Sequence, residues 1–212
     1  MDATVSVVAV DDVGPNTVAI EFETPDGFAA EPGQFVKLSA TVEGEEYSRF
    51  YTLSSPDVAE TFEVTVGIDP DEAGPFSQFL VDLQSGDELD VSGPFGKSYY
   101  DGESRVVVLA GGPGVGPAVG IGEAAVADDN EVAIVYRTDA PAHEKRLDAL
   151  RDAGASVVVT DGEIGPAVTD VVTGDDDEQV FVYGFADFVE AAETAIDAAG
   201  GDADAAKVEN FG

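Results

Sequence analysis

The chain has 212 residues, 44% of them hydrophobic, with 44 acidic against 9 basic residues and a formal net charge of −35. That apolar share suffices for a packed core, while the charge argues against nucleic acid and anionic membranes as partners. There is no cysteine, which removes disulfides, thiolate zinc sites, Cys-ligated iron–sulfur clusters and thiol nucleophiles together. The acids are spread over almost every turn and helix face rather than gathered in a tail. Such dispersion suits molar salt, where the Debye length shrinks to roughly 3 Å and self-repulsion is screened. The expected setting is the cytoplasm of a halophile. No apolar run approaches the length of a membrane span, and Met1-Asp2-Ala3-Thr4 lacks the basic region of a signal peptide.

The first half alternates. Thr4–Val10, Thr17–Thr24, Gln34–Ala40, Tyr47–Leu53, Thr61–Gly67 and Asp87–Ser92 read as short strands, separated by turn clusters such as Gly14-Pro15-Asn16 and Pro25-Asp26-Gly27. One helix interrupts them, from Phe76 through Leu83. Six short strands of this kind predict a small antiparallel barrel or sandwich over residues 1–100. Within it, Arg49 and Tyr51 fall on one strand face and Phe50 on the other. A guanidinium beside an aromatic ring could hold a phosphate and a flat ring together; an ordinary surface arginine and strand tyrosine is the alternative. Ser77, after Gly74-Pro75-Phe76, is a helix cap or a phosphate ligand.

The chain then turns on Val106-Val107-Val108-Leu109-Ala110-Gly111-Gly112-Pro113-Gly114-Val115-Gly116-Pro117. An apolar run closed by glycines predicts a buried parallel strand, a tight turn and a helix. Free N–H groups at such a helix start favour a phosphate, foremost the pyrophosphate of a nucleotide; a plain glycine-rich turn is the alternative. The spacing is not G-x-G-x-x-G, because Pro117 stands where the last glycine would be, and no Lys-Ser or Lys-Thr follows as in a Walker A loop. Beyond it, strands at Glu131–Tyr136, Ser156–Thr160, Val180–Tyr183 and Ala206–Glu209 alternate with helices at Val115–Ala127, His143–Ala153, Ala167–Val172 and Phe185–Ala199. This alternation predicts a doubly wound parallel α/β sheet over 104–212, with Gly111–Pro117, Arg137–Thr138 and Gly184–Asp187 on one rim. His143, the single histidine, is expected at the surface.

Taken in order, Arg49-Phe50-Tyr51-Thr52, Gly74-Pro75-Phe76-Ser77, Gly93-Pro94-Phe95-Gly96 and the Gly111–Pro117 turn resemble the ferredoxin–NADP reductase superfamily, from about Val5 to Phe211. The resemblance implies a flavin-binding barrel followed by an NAD(P)H-binding domain, joined through Lys97–Glu103. It implies that Arg49 binds the FAD pyrophosphate, with Phe50 in the same motif. Tyr51 would pack on the flavin, and Thr52 would sit near its N5. Gly74, Phe76 and Ser77 would hold the FAD phosphates, and Val66 would join the FAD site. Gly111, Gly112, Pro113, Gly114 and Val115 would cradle the NAD(P)H pyrophosphate. Arg137 would meet a ribose or 2′-phosphate, although Asp139 nearby suits NADH. Tyr183, Gly184 and Phe185 would face the nicotinamide, with Tyr183 stacking in its site, and Glu209 and Phe211 would act beside the flavin.

Two departures stand out: Pro113 replaces a hydroxyl residue, and Tyr183 stands where many members carry cysteine. The implied activity passes hydride from NAD(P)H to FAD, and electrons go on to a separate acceptor such as ferredoxin. No fused iron–sulfur domain and no basic acceptor patch are expected. A non-catalytic subunit holding FAD within a larger complex, and a nucleotide sensor without flavin, are the rival readings.

Overall fold

The computed structural model describes residues 1–68 and 73–212. In the first half, β1 (Asp2–Gly14), β2 (Thr17–Glu23), β3 (Phe35–Val42), β4 (Glu45–Thr52), β5 (Thr61–Gly67) and β6 (Glu88–Phe95) pair antiparallel in the order β4-β3-β6-β1-β2-β5. Helix α1 (Pro75–Val81) lies between β5 and β6 in the chain. Strand alternation turns Ile20, Phe22, Val36, Leu38, Phe62 and Val64 into one buried cluster, in which the Phe22 and Phe62 rings stack at 5.2 Å. β1 is longer than the sequence suggests because it serves two partners. Its first residues pair with β6 and its later ones with β2, and an irregularity between Val7 and Ala9 bends it between them. The two edge strands meet where Leu53 bridges Val64 and the Ser54 N–H donates to Glu63 O at 2.8 Å, so the sheet curls into a barrel.

In the second half, β7 (Arg105–Gly111), β8 (Glu131–Arg137), β9 (Ser156–Thr160), β10 (Glu178–Gly184) and β11 (Lys207–Asn210) form a parallel sheet in the order β11-β10-β7-β8-β9. Helices α2 (Val115–Ala127) and α3 (Glu144–Asp152) cover one face, α4 (Gly165–Val171) and α5 (Ala186–Ala199) the other. The central strand therefore has no polar face. Val106, Val108 and Ala110 pack toward α2, and Val107 and Leu109 toward α5. β8 lies on one side of β7 and β10 on the other, so strand order reverses between β7 and β10, where a doubly wound sheet opens a crevice. Residues 96–104 connect the two sheets.

Most predicted elements lie within two residues of the observed ones. The helix expected from Phe76 to Leu83 instead runs Pro75–Val81, and the last strand extends to Asn210. No helix among the described residues is long and apolar enough to cross a membrane.

Candidate functional site

On β4, Arg49 lies opposite Leu38 and Tyr51 opposite Val36, so both share the face of buried core residues. One pair up the same face, the Tyr47 ring stacks on Phe76 at the start of α1, with centroids 6.3 Å apart. That stack brings Gly74–Ser77 toward the strand carrying Arg49 and Tyr51. Arg49 is exposed and its Nη1 donates to the Ser48 carbonyl at 2.8 Å. Tyr51 is half-buried; burial pushes its phenol up to about 12, and the Arg49 charge opposes that shift. Thr52 is buried at the strand end.

Three expected FAD contacts are corrected by burial and facing. Phe50 points away from Arg49 and Tyr51; it is 63% exposed and meets Phe35 edge-on at 5.5 Å. The side chains of Phe76 and Val66 are packed in the barrel core, so only their backbones can meet a ligand.

At the end of β7, Gly112-Pro113-Gly114 forms a tight 3-10 turn leading straight into α2. Gly112 has φ +53° and open space where a side chain would stand. At Gly114 a Cβ would lie 2.2 Å from the Tyr183 carbonyl oxygen, which requires glycine. The turn is thus clamped against β10 on one side and open on the other, as a phosphate cradle requires. Val115 departs from expectation: its side chain is buried and its N–H is bonded within the turn, to Gly112 O and Pro113 O. Pro113 packs toward the barrel, 3.5 Å from where a Cβ on Gly67 would stand. That contact gives the proline a structural reason at a position where a hydroxyl is usual.

Across the crevice, Phe185 precedes α5 and is 54% exposed, edge-on to Phe211 at 6.0 Å. The Phe211 N–H donates to Gly184 O at 3.0 Å, and Glu209 stands in register with Tyr183. Glu209 and Phe211 therefore belong to an ordered sheet edge. Burial raises the Glu209 carboxyl above the usual range. Arg137, at the end of β8, lays its guanidinium over the Phe188 ring at 4.9 Å.

Tyr183 does not stack in the crevice. Its ring is fully buried and its hydroxyl donates to Ser98 O at 2.6 Å, which ties β10 to the connection between the sheets. His143 is not at the surface. It is only 4% exposed, adopts φ +56° before α3, and lies 2.8 Å from Thr65 Oγ1. Burial, reinforced by the nearby Arg146 charge, lowers its pKa to about 3, so the ring is neutral.

Arg146 was not singled out from the sequence, yet it joins the two halves. It binds both carboxylate oxygens of Glu123 at 2.7 Å, Glu63 at 2.8 Å and the Ser54 carbonyl at 2.6 Å. Beside it, Gly116 and Gly120 on α2 leave no room for side chains against Thr65 and Ser54. β5 and the residues just past β4 therefore abut α2. Two concavities of about 540 and 570 Å³ lie elsewhere, one around Arg105 and Asn130 at the far end of the sheet, the other over Arg146 and Glu60.

Comparison with known proteins agrees with this geometry. Residues 4–100 match the oxidoreductase FAD-binding domain. A probable dihydroorotate dehydrogenase B (NAD(+)) electron transfer subunit of Methanopyrus kandleri is 43% identical over 89 residues, covering 42% of this chain and 31% of that protein. A glycine betaine monooxygenase reductase subunit of Chromohalobacter salexigens is 42% identical over 100 residues, covering 45% of this chain and 26% of its own. The chain thus spans less than a third of the length of these relatives. Among solved structures, the Amycolatopsis cytochrome P450 reductase GcoB aligns with TM-score 0.82 and 24% identity, over 100% of this chain and 70% of that one. A Neisseria gonorrhoeae ferredoxin NADP+ reductase with bound FAD and NADP aligns with TM-score 0.82 and 17% identity, over 100% and 99%. Residues 4–100 are thus similar to an oxidoreductase FAD-binding domain, and the chain as a whole shares the two-domain fold of these reductase structures.

Proposed function

We propose that the chain is a flavoprotein oxidoreductase that takes hydride from a nicotinamide nucleotide into FAD and passes electrons to a separate acceptor such as ferredoxin. One observation carries this reading. β5, which the chain leaving β4 bridges at Leu53–Val64, is pressed on the glycine turn and the start of α2 through Gly67–Pro113 and Thr65–Gly116, and Ser54, just past β4, is pressed on Gly120. Two expected nucleotide sites therefore converge on one seam, with residues 1–100 as the FAD unit and 104–212 as the nucleotide unit.

The residues present fit FAD: an exposed guanidinium, a half-buried tyrosine on the same strand face and a buried threonine at the strand end. When bound, FAD supplies the exchange between two-electron and one-electron chemistry. Arg49 and Ser77 would hold its phosphates, and Tyr51 and Thr52 its ring system. Gly112 gives the donor's pyrophosphate close backbone approach while Gly114 seats the turn against β10, and Phe185 and Phe211 wall the far side. Glu209, whose carboxyl burial makes easier to protonate, stands at this edge.

The rim favours NADH. Arg137 is engaged over Phe188, and exposed Asp139, Asp161 and Glu163 follow β8 and β9. A 2′-phosphate would meet carboxylates there, whereas ribose hydroxyls could donate to them. NADH is therefore expected to exceed NADPH in kcat/KM by at least about 10-fold, or roughly 1.4 kcal/mol. Equal values would contradict the assignment.

The rival reading is a subunit that only holds FAD, which Tyr183 and Pro113, as departures from the family pattern, would suit. Tyr183 is buried and Pro113 packs toward Gly67, so neither residue by itself favours the subunit, although the fold fits both readings. Ferricyanide reduction by the isolated, FAD-loaded chain separates the readings: turnover with NADH supports the oxidoreductase, and bound FAD without turnover supports the subunit. The dispersed acidic surface supports a high-salt cytoplasm as the setting of this activity.

A further inference from the structure

The few cations of this chain are unevenly placed. Of nine, Arg105, Arg146, Arg151 and Lys207 are consumed in ion pairs within the molecule. Lys37 and Lys97 make no ion pair among the described residues, and both lie at one end of the barrel's outer face. Lys37 stands in register with Phe50 on one side and Ser92 on the other. Residues directly opposite in such a pair project together, with Cβ atoms about 5 Å apart. Lys97 is exposed and follows Gly96, whose missing side chain lets the Phe35 ring lie where a Cβ would be 2.9 Å away.

Between the lysines is a cluster of three aromatic rings. Phe35, Phe50 and Phe95 meet at centroid distances of 5.5, 5.8 and 6.1 Å, and Phe50 and Phe95 are 63% and 42% exposed. On a molecule with net charge −35, three adjoining rings at the surface are out of place unless something covers them. Acids enter this face farther out, at Asp2, Asp90 and Glu46, opposite Ser92, Ser39 and Thr41, and at Glu88 beyond Asp90. An aromatic centre with a charged rim is the composition of a protein contact. Thr52 lies on the same strand face as Phe50, two residues or about 7 Å along the strand.

We infer that Phe35, Phe50 and Phe95, rimmed by Lys37 and Lys97, form the docking surface for an acidic electron-carrier protein. The inference rests on the proposed oxidoreductase function and names the place where electrons leave. Charge selects the occupant: an acidic carrier is repelled over most of this molecule and meets here two lysines that no ion pair among the described residues engages. In molar salt the long-range repulsion is screened to roughly 3 Å while the apolar contact persists. The area is small, as suits the brief encounters of electron transfer. Each NADH oxidised yields NAD+, one proton and two electrons, and two oxidised carriers take one electron each.

The test uses the FAD-loaded chain and an acidic [2Fe–2S] ferredoxin as probe. Phe95→Ser, and separately the Lys37→Glu, Lys97→Glu pair, are compared with the parent. Expected is a rise of about 10-fold in KM for ferredoxin, with NADH-to-ferricyanide turnover within twofold of the parent. For the lysine pair the loss should be larger in 0.2 M than in 2 M KCl, measured in parallel. Unchanged ferredoxin KM in both variants overturns the inference. So does loss of bound FAD, which would make the rings part of the flavin site, or a fall in sedimentation mass, which would make them a contact between copies. Calorimetric titration of ferredoxin into the oxidised protein needs no turnover. Binding weakened by the variants supports the surface even if ferricyanide reduction fails, and absence of binding overturns it even if that activity is present.

Discussion

Arg49 is one of nine basic residues and makes no ion pair among the described residues, so its charge is available to a ligand. Replacing it with alanine is expected to weaken FAD binding about 10- to 100-fold, the range for loss of a charge-assisted contact. Fluorescence titration of the stripped protein with FAD checks this, and unaltered affinity would remove Arg49 from the site. His143 gives a pH prediction of definite sign. Its folded pKa of about 3 lies below the unfolded value of 6.5, so the unfolded chain binds the extra proton between them. The contribution is intact above pH 6.5 and is lost as pH falls toward 3, at about 1.4 kcal/mol per unit. His143→Gln should flatten that limb in urea unfolding series at fixed salt. A parent and variant with parallel slopes would contradict it.

The residues that were legible in the sequence are those whose neighbours in the chain share their task. Arg49-Phe50-Tyr51-Thr52 and Gly111–Gly114 are such local patterns, and glycine reports backbone demands directly. His143 and Arg146 were not legible because Thr65 and Glu63, their partners, lie 78 and 83 residues away in the other half. A lone histidine ahead of a charged helix carries no sign of burial. Tyr183 failed for the same reason, since its partner Ser98 is 85 residues distant.

At the scale of elements, strand and helix periodicities placed both sheets well because each half is regular. What periodicity could not give was the packing of one half on the other. The Gly116 and Gly120 spacing on α2 is the one local hint, and it is intelligible only beside Ser54 and Thr65. A Cβ at Gly120 would stand 2.9 Å from the Ser54 carbonyl oxygen. Gly120→Val is therefore expected to cost about 1–3 kcal/mol, read as a lower urea midpoint. It should also slow NADH oxidation by parting the segment after β4 from α2. Normal stability with normal turnover would show that the seam is looser than the geometry implies. The C-terminal strand β11 is held by Lys207, which donates to Tyr99 O at 2.7 Å and pairs with Glu103. This anchoring explains why Glu209 and Phe211 lie fixed against β10.

For the whole molecule, charge and chemistry act together. With 44 acids on 212 residues, self-repulsion opposes the compact state until salt screens it. The urea midpoint is expected to rise steadily from 0.1 to 2 M KCl, and a midpoint that falls over that range would contradict the halophilic setting. Within that setting the central claim is that the seam between barrel and parallel sheet carries hydride from a nicotinamide nucleotide to FAD. It is tested most directly by the visible spectrum of the purified protein in 2 M KCl, recorded anaerobically before and after one equivalent of NADH. The expected result is an oxidised flavin spectrum that bleaches within the mixing time of a cuvette, and more slowly with NADPH. A protein that takes up no FAD in high salt, or whose bound flavin stays oxidised with both nucleotides, would contradict it.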